Sequence, residues 1–247
     1  VNFKVPFESK YTLNEIHSVS QSQAGQDLFV LAMFKGKTNG TFLEIGAGNP
    51  IGGSNCYLLE NNFNWSGYSI EKNCKKIYLD LNEQPVTWNE CRPNSKLICE
   101  DATTIDYSTY PEYFDYLQID IDNSANVQTV IDKLESIKFG VITLEHDVWR
   151  KNKEVFHLRN YARQQFVKRG YILLVDGVTL EPHKNNVYGF QAKDGTRAGA
   201  FAIKEPLLFE DWYVHPDIID SDIISSYKWV CNNFTPKYYT DILFDNK

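Results

Sequence analysis

Residues 41–48 read Thr-Phe-Leu-Glu-Ile-Gly-Ala-Gly, and this octet decides the fold. Thr41–Ile45 is an apolar run too short for a helix, carries one acid, Glu44, and closes on Gly46 and Gly48. A run of that length bounded by a turn signal reads as a buried strand. Glycine allows the tight turn and lets backbone approach a ligand with no Cβ in the way. In an open α/β sheet, ligands sit at the carboxyl ends of the strands, near the point where strand order reverses. Glu44, Gly46 and Gly48 therefore mark one wall of a candidate site.

On the N-terminal side, residues 22–35 (SQAGQDLFVLAMFK) put Leu28, Leu31 and Phe34 at helical spacing, with Ser22 as the expected N-cap. Residues 1–20 are mixed and polar and read as an irregular arm. Downstream, strands are expected over 67–70, 96–99, 115–121, 139–144 and 171–175. Helices are expected over 54–63, 73–83, 126–137 and 153–169. Strands alternating with helices through short connections imply right-handed crossovers and a parallel sheet covered on both faces. Val187–Gln191 and Ala198–Ile203, separated by AKDGTR, suggest an antiparallel terminal hairpin. The expectation is one doubly wound, Rossmann-like α/β domain over 21–205 with a mostly parallel seven-stranded sheet. Residues 206–247, aromatic and acidic, read as an extension of it.

Composition narrows the function. The chain has 247 residues, 43% hydrophobic and 23% charged, which excludes a disordered chain. Apolar runs such as Tyr171–Val175 fall far short of the roughly 18 residues a membrane helix needs. The opening VNFKVPFESK does not read as a secretory leader. Net charge is −7, without a basic run, which argues against nucleic-acid binding. A small-molecule partner, no membrane partner and room for a homo-oligomer are the expectations. Cys56, Cys74, Cys91, Cys99 and Cys231 are odd in number and lack a CxxC pair, so they read as reduced thiols in a cytoplasmic protein.

Further acids follow the strands. Glu71 ends the second and could accept both ribose hydroxyls of a nucleoside; a strand-end salt bridge with Lys72 or Lys75 is its bland reading. Asp101 follows the third, where it could take an adenine amino group while the Ala102 amide addresses a ring nitrogen; a helix-cap Asp is the alternative. Acids in that order behind a glycine turn are more specific than any one of them. Asp120 and Asp122 end the fourth strand, and Glu145, His146 and Asp147 the fifth. Residues two apart share a side of a strand, so these carboxylates can gather at one edge. Asp120, Glu145 and Asp147 could then hold Mg²⁺ or another divalent cation. Otherwise they cap helices and pair with Arg150 and Lys151. His146 is a candidate base, although strand alternation points it away from Glu145 and Asp147. His183, Lys184 and Arg197 lie where an acceptor could be bordered, and equally suit solvated loops.

The stretches SQAGQDLFVLAMF, GTFLEIGAGNPIGGSNCYLLE, WSGYSIE and DYLQIDID resemble the class I S-adenosylmethionine-dependent methyltransferases, and among them most the FkbM-like family. The leader Ser22-Gln23…Gln26-Asp27 and the pair Ser54-Asn55 are its more particular features. The resemblance implies S-adenosylmethionine as cofactor and a single methyltransferase domain. Glu44, Gly46 and Gly48 would then border the methionine part, Glu71 the ribose and Asp101 the adenine, with Asn55, Ala102 and Asp120 as further cofactor-binding candidates. Gln23 and Gln26 would close over the amino-acid end. The family commonly shows Glu-Gly after the fourth-strand Asp; here Asp122-Asn123 stands instead, which touches acceptor chemistry more than cofactor binding. The implied reaction is methyl transfer to a small acceptor, through a hydroxyl, with Asp120, Asp122, Glu145 and His146 as catalytic candidates. A metal-dependent glycosyltransferase using Asp120-x-Asp122, and a non-catalytic binding protein on the same fold, are the alternatives.

Overall fold

The structure, a computed structural model, describes residues 7–180, 187–191, 197–202, 207–233, 238 and 242–244. In chain order the elements are α1 (Leu13–Val19), α2 (Gln26–Met33), β1 (Thr41–Ile45), α3 (Tyr57–Phe63), β2 (Ser66–Ile70), β3 (Tyr78–Leu79), β4 (Pro85–Val86) and α4 (Trp88–Cys91). They continue with β5 (Ser95–Ile98), β6 (Tyr113–Ile119), α5 (Ser124–Lys133), β7 (Lys138–Glu145), α6 (Lys153–Lys168) and β8 (Ile172–Leu180). The last are β9 (Val187–Gln191), β10 (Arg197–Ala202), β11 (Leu207–Val214) and α7 (Ser221–Asn233).

One seven-stranded sheet runs β5-β2-β1-β6-β7-β11-β8. The pairings among β5, β2, β1, β6 and β7 are parallel, while β11 is antiparallel to both its neighbours. From β1 the chain works outward first through β2 and β5, then returns to β6 on the other side. That reversal places a crevice at the carboxyl ends of β1 and β6. Alternation along β1 feeds two cores. Phe42 packs with Leu28, Phe29, Leu31, Leu58 and Trp65 on one face. Leu43 and Ile45 pack with Val127, Val130, Ile131, Leu158 and Phe166 on the other. Each such fully buried side chain contributes about 1.5–3 kcal/mol. The Rossmann-like α/β reading holds.

Four details differ from expectation. The arm contains α1, started by a capping box: the Glu15 amide donates to Thr12 Oγ1 at 3.3 Å and the Thr12 amide to Glu15 Oε2 at 2.7 Å. α2 starts after Gly25, not Ser22, whose hydroxyl instead donates to buried Asp27 at 2.6 Å. Residues 73–83 are not helical. Ile77, Leu79 and Leu81 recur every second residue, which is the strand period, and Tyr78 between them is buried as β3 pairs with β4. Finally, β11, from the stretch read as an extension, sits inside the sheet, whereas the expected hairpin β9–β10 forms a separate two-stranded sheet. The alternation in LLFEDWYV is masked because Glu210 and Asp211 are both buried.

The reading of five reduced thiols is corrected. Cys74 and Cys99 are joined by a disulfide with their Cα atoms 5.6 Å apart, while Cys56 and Cys91 are free and buried. Spacing carried no sign of the bond, since it arises only because β2 and β5 are neighbours, with Ile70 beside Ile98. The cytoplasmic expectation rested on those thiols and loses that support. No helix among the described residues is long and apolar enough to cross a membrane.

Candidate functional site

The glycine turn leaves β1 while still held to its neighbour: the Gly46 and Ala47 amides both donate to the Ile70 carbonyl, at 2.9 and 3.1 Å. Gly46 has φ +86° and Gly48 φ +58°, the left-handed region that glycine enters freely. The two differ in what surrounds them. A Cβ on Gly46 would overlap the Asp120 carbonyl, so Gly46 lets the β1 and β6 ends approach; a Cβ on Gly48 would meet nothing within 4 Å. Gly48 faces open space.

Beneath the turn, Glu44 is buried and does not line the open cavity. It accepts from Ser69 Oγ at 2.6 Å, Ser54 Oγ at 3.3 Å and Arg92 Nη2 at 3.2 Å. Arg92, fully buried, also holds Glu60 at 2.5 Å. Glu44 thus anchors the turn from below. Sequence reasoning missed Arg92; a single arginine before a proline carries no pattern, and its partners lie 48 and 32 residues away.

A cavity of about 490 Å³ opens above, lined among others by Gly46, Gly48, Glu71, Asp101, Ala102, Asp120 and Asp122. Glu71 bridges its rim: Oε2 accepts the Gly48 amide at 3.0 Å and Oε1 the Asn73 amide at 2.7 Å. Asp101 accepts from Lys72 Nζ at 2.6 Å and from the Thr103 hydroxyl and amide at 2.7 and 3.0 Å. The Lys72 ammonium, with Thr103 behind it, holds the Asp101 carboxyl well below the usual carboxylate range. Lys72 therefore pairs with Asp101 across the cavity mouth rather than with Glu71. Ala102 is buried at the wall, and its carbonyl accepts from Tyr107 Oη at 3.1 Å.

The floor is a row of acids on three adjacent strands, of which only Asp120 lines this cavity itself. Ile119 pairs with Leu144, so Asp120 falls beside Glu145, and Glu145 pairs with Glu210 across β7 and β11. Burial pushes Asp120 up to about 6, the charges of Asp147, Asp122 and Glu71 adding to it. Burial, then Asp120, raises Glu145 well above its ordinary value. Burial lifts Glu210 to about 8, against the hydrogen bond it accepts from Trp212 Nε1 at 2.9 Å. Glu210 went unnoticed in the sequence because β11 itself did.

A smaller cavity of about 70 Å³ adjoins this floor, sharing Asp120 and Asp122 with the larger one and adding Glu145, His146, Asp147 and Arg150. Asp147 turns back on its own loop, accepting from Trp149 Nε1 at 2.7 Å and pairing with Arg150 at 2.6 Å. The metal expectation on Asp120, Glu145 and Asp147 is accordingly corrected. Among the described residues no group of three His, Cys, Asp or Glu is placed to hold an ion. His146 is buried with Nε2 3.3 Å from Asp211 Oδ1, and its Nδ1 accepts the Val148 amide at 3.3 Å. Burial lowers its pKa. Asp211 is held in turn by Arg159 and Arg163 at 2.9 and 2.8 Å. His146 thus meets the Asp211–Arg159–Arg163 cluster while also lining the small cavity with Glu145 and Asp147.

The remaining candidates are dispersed. Gln23 is exposed ahead of α2. Gln26 is buried, its Oε1 accepting the Ala24 amide at 2.9 Å and its side chain bonding Glu210, so neither glutamine lines the large cavity. Asn55 is buried with Oδ1 unpartnered. His183 and Lys184 lie outside the described residues, as does the side chain of Arg197.

Neither a protein-family model nor a curated protein matches the chain by sequence. Solved structures do resemble it in backbone. Precorrin-6y C5,15-methyltransferase from Geobacter metallireducens is 16% identical, covering 76% of this chain and 87% of its own, with a TM-score of 0.48. Fibrillarin from Aeropyrum pernix, with natively bound S-adenosyl-L-methionine, is 14% identical over 72% of this chain and 67% of its own, with a TM-score of 0.42. An rRNA methylase from Streptococcus thermophilus is 10% identical over 77% and 93%, with a TM-score of 0.45.

Proposed function

We propose that the chain is an S-adenosylmethionine-dependent methyltransferase of the FkbM-like kind, acting on a hydroxyl of a small acceptor. One observation carries the reading. Glu71, Asp101 and Asp120, each just past the end of a parallel strand, meet Gly48 and its open space around a single cavity at the switch point of the sheet. Pairing the acids with one nucleoside-bearing ligand explains their order. Glu71 holds the ribose hydroxyls, and Asp101 with the Ala102 amide holds the adenine. The turn at Gly46 and Gly48 leaves room for the methionine part. The orphaned Asn55 Oδ1, a buried acceptor on the loop after the turn, suits an ammonium donor. Glu44 supports this turn through Arg92 rather than by contact with the ligand.

When bound, the cofactor supplies a methyl group already activated on sulfonium. The chain's own part is alignment and a place for the acceptor's proton. Asp120 and Glu145 share that place: burial raises both, Asp120 to about 6, which brings its carboxylate near neutrality, where a base works best. Asp122, at the wall common to both cavities, faces the acceptor side. His146, committed to Asp211, is outside this scheme. The net charge of −7 without a basic run argues against a nucleic-acid acceptor. Calorimetric titration with S-adenosylhomocysteine, NAD, and a UDP-sugar with Mn²⁺ tests the reading. Binding of S-adenosylhomocysteine alone is the expected result; binding of either other ligand without it overturns the assignment.

A further inference from the structure

We infer that the Cys74–Cys99 disulfide is a redox clasp on the nucleoside end of the cavity, making cofactor affinity depend on thiol–disulfide state; this rests on the cofactor reading above. The bond ties together the two loops that carry the proposed nucleoside contacts. Cys74 lies shortly after Glu71, and Cys99 shortly before Asp101. Between the cysteines runs a 25-residue separation containing β3, β4, α4 and β5, so the clasp closes a substantial loop upon the cavity wall.

Little else fixes the two loops to each other. The sheet ladder reaches only as far as the Glu71 amide, which donates to the Ile98 carbonyl at 3.0 Å. Beyond it stands the Lys72–Asp101 ion pair, whose lysine side chain is 65% exposed. Exposed ion pairs hold geometry weakly and fade with salt. A covalent bond does neither. Opening it frees the Asp101 loop to drift from Glu71, and a ligand held by both must then restore their spacing on binding.

The bond is open to exchange. Cys99 is exposed and Cys74 half-buried. Lys72, Lys75 and Lys76 flank Cys74 in the sequence. The reductant is a dithiol. One of its thiolates attacks a sulfur of the bond and displaces the other cysteine as thiolate. Its second thiol then closes on the mixed disulfide, releasing the first cysteine. Two electrons pass to the cysteine pair, two protons end on it, and the dithiol leaves as its own disulfide. Cys74 Sγ lies 3.3 Å from the Glu71 carbonyl oxygen, so the freed thiol has an acceptor at hand.

Coupling between ligand and bond is reciprocal: whatever factor the bond adds to affinity, bound ligand adds to the bond's resistance to reduction. The test uses the full chain oxidised with oxidised glutathione, and the same protein reduced with dithiothreitol. Alkylation mapping should find Cys74 and Cys99 protected only in the oxidised form. Calorimetry should show S-adenosylhomocysteine binding weakened by roughly fivefold on reduction, and saturating ligand should raise the dithiothreitol needed for half-reduction by the same factor. The double variant Cys74→Ser/Cys99→Ser should match the reduced wild type at any redox poise. Equal affinity in both wild-type states, or labelling of both cysteines after oxidation, overturns the clasp alone. Absence of binding in both states overturns the cofactor reading and the clasp with it. The wild-type comparison stands even if the double variant fails to fold.

Discussion

Replacing Glu210 by glutamine should reshape the stability of this protein with pH. Glu210 is 2% exposed and lies beside Glu145 across the β7–β11 ladder, and burial carries its carboxyl from an ordinary 4.5 to about 8. The native state therefore keeps this proton where the unfolded chain has released it. Stability from the protonated group is whole below about pH 4.5 and declines until pH passes about 8. At about 1.4 kcal/mol per pH unit the full effect approaches about 5 kcal/mol, a ceiling, because Asp120 and Glu145 share the same titration. Glutamine keeps the acceptor for Trp212 Nε1 and cannot ionise. Glu210→Gln should thus match the wild type near pH 5 and exceed it at pH 8.5 by about 2–4 kcal/mol, or roughly 5–10 °C in Tm. Thermal unfolding followed by circular dichroism between pH 5 and 8.5 measures this directly. Parallel wild-type and variant curves across that window would refute a protonated, buried Glu210.

Other consequences follow from the same geometry. Glu71→Gln removes the charge from hydrogen bonds typically worth about 1.5–3 kcal/mol each, so S-adenosylhomocysteine affinity should fall at least about tenfold in calorimetry with Tm little changed. Gly48→Ala, pointing into open space, should weaken the ligand at only the roughly 1 kcal/mol stability cost that a left-handed φ imposes on alanine; Gly46→Ala, pushed against the Asp120 carbonyl as well, should lower Tm further. Arg92→Leu strands Glu44 and Glu60 as buried, unpaired acids and should cost about 3–5 kcal/mol in denaturant unfolding. EDTA should leave S-adenosylhomocysteine affinity unchanged; a loss reversed by Mg²⁺ would restore the case for an ion at the acidic floor.

The parts of the fold visible in the sequence were those encoded locally. TFLEIGAG named its strand and turn because burial, length and glycine all lie within eight residues. The cavity acids Glu71 and Asp101 could be found for the same reason, each marking the end of a short apolar run. What escaped depends on neighbours distant in the chain. Arg92 matters through Glu44, Glu60 and Ser54, Glu210 through its place beside Glu145, and the disulfide because two parallel strands lie side by side. Glu44 shows the same limit in reverse. Its place on the octet drew it toward the ligand, yet its carboxylate is held under the turn by Ser69, Ser54 and the buried Arg92. Residues 73–83 were a different kind of error, since the two-residue period of Ile77, Leu79 and Leu81 was present to be counted.

The place of β11 sets the order in which this protein can be assembled. β1, β2, β5, β6 and β7 pair in parallel using chain that ends at Glu145, but the slot between β7 and β8 is filled by Leu207–Val214. A nascent chain thus carries an unfinished sheet, with the β7 edge offering open amides and carbonyls until Leu207–Val214 has been made. Such an edge is a template for foreign strands, and late, distant pairing makes folding slow. A chain cut before Leu207 would not merely shed a tail. It would present a permanent sticky edge in the middle of its own sheet, and the expected fate is aggregation during synthesis rather than a smaller soluble domain.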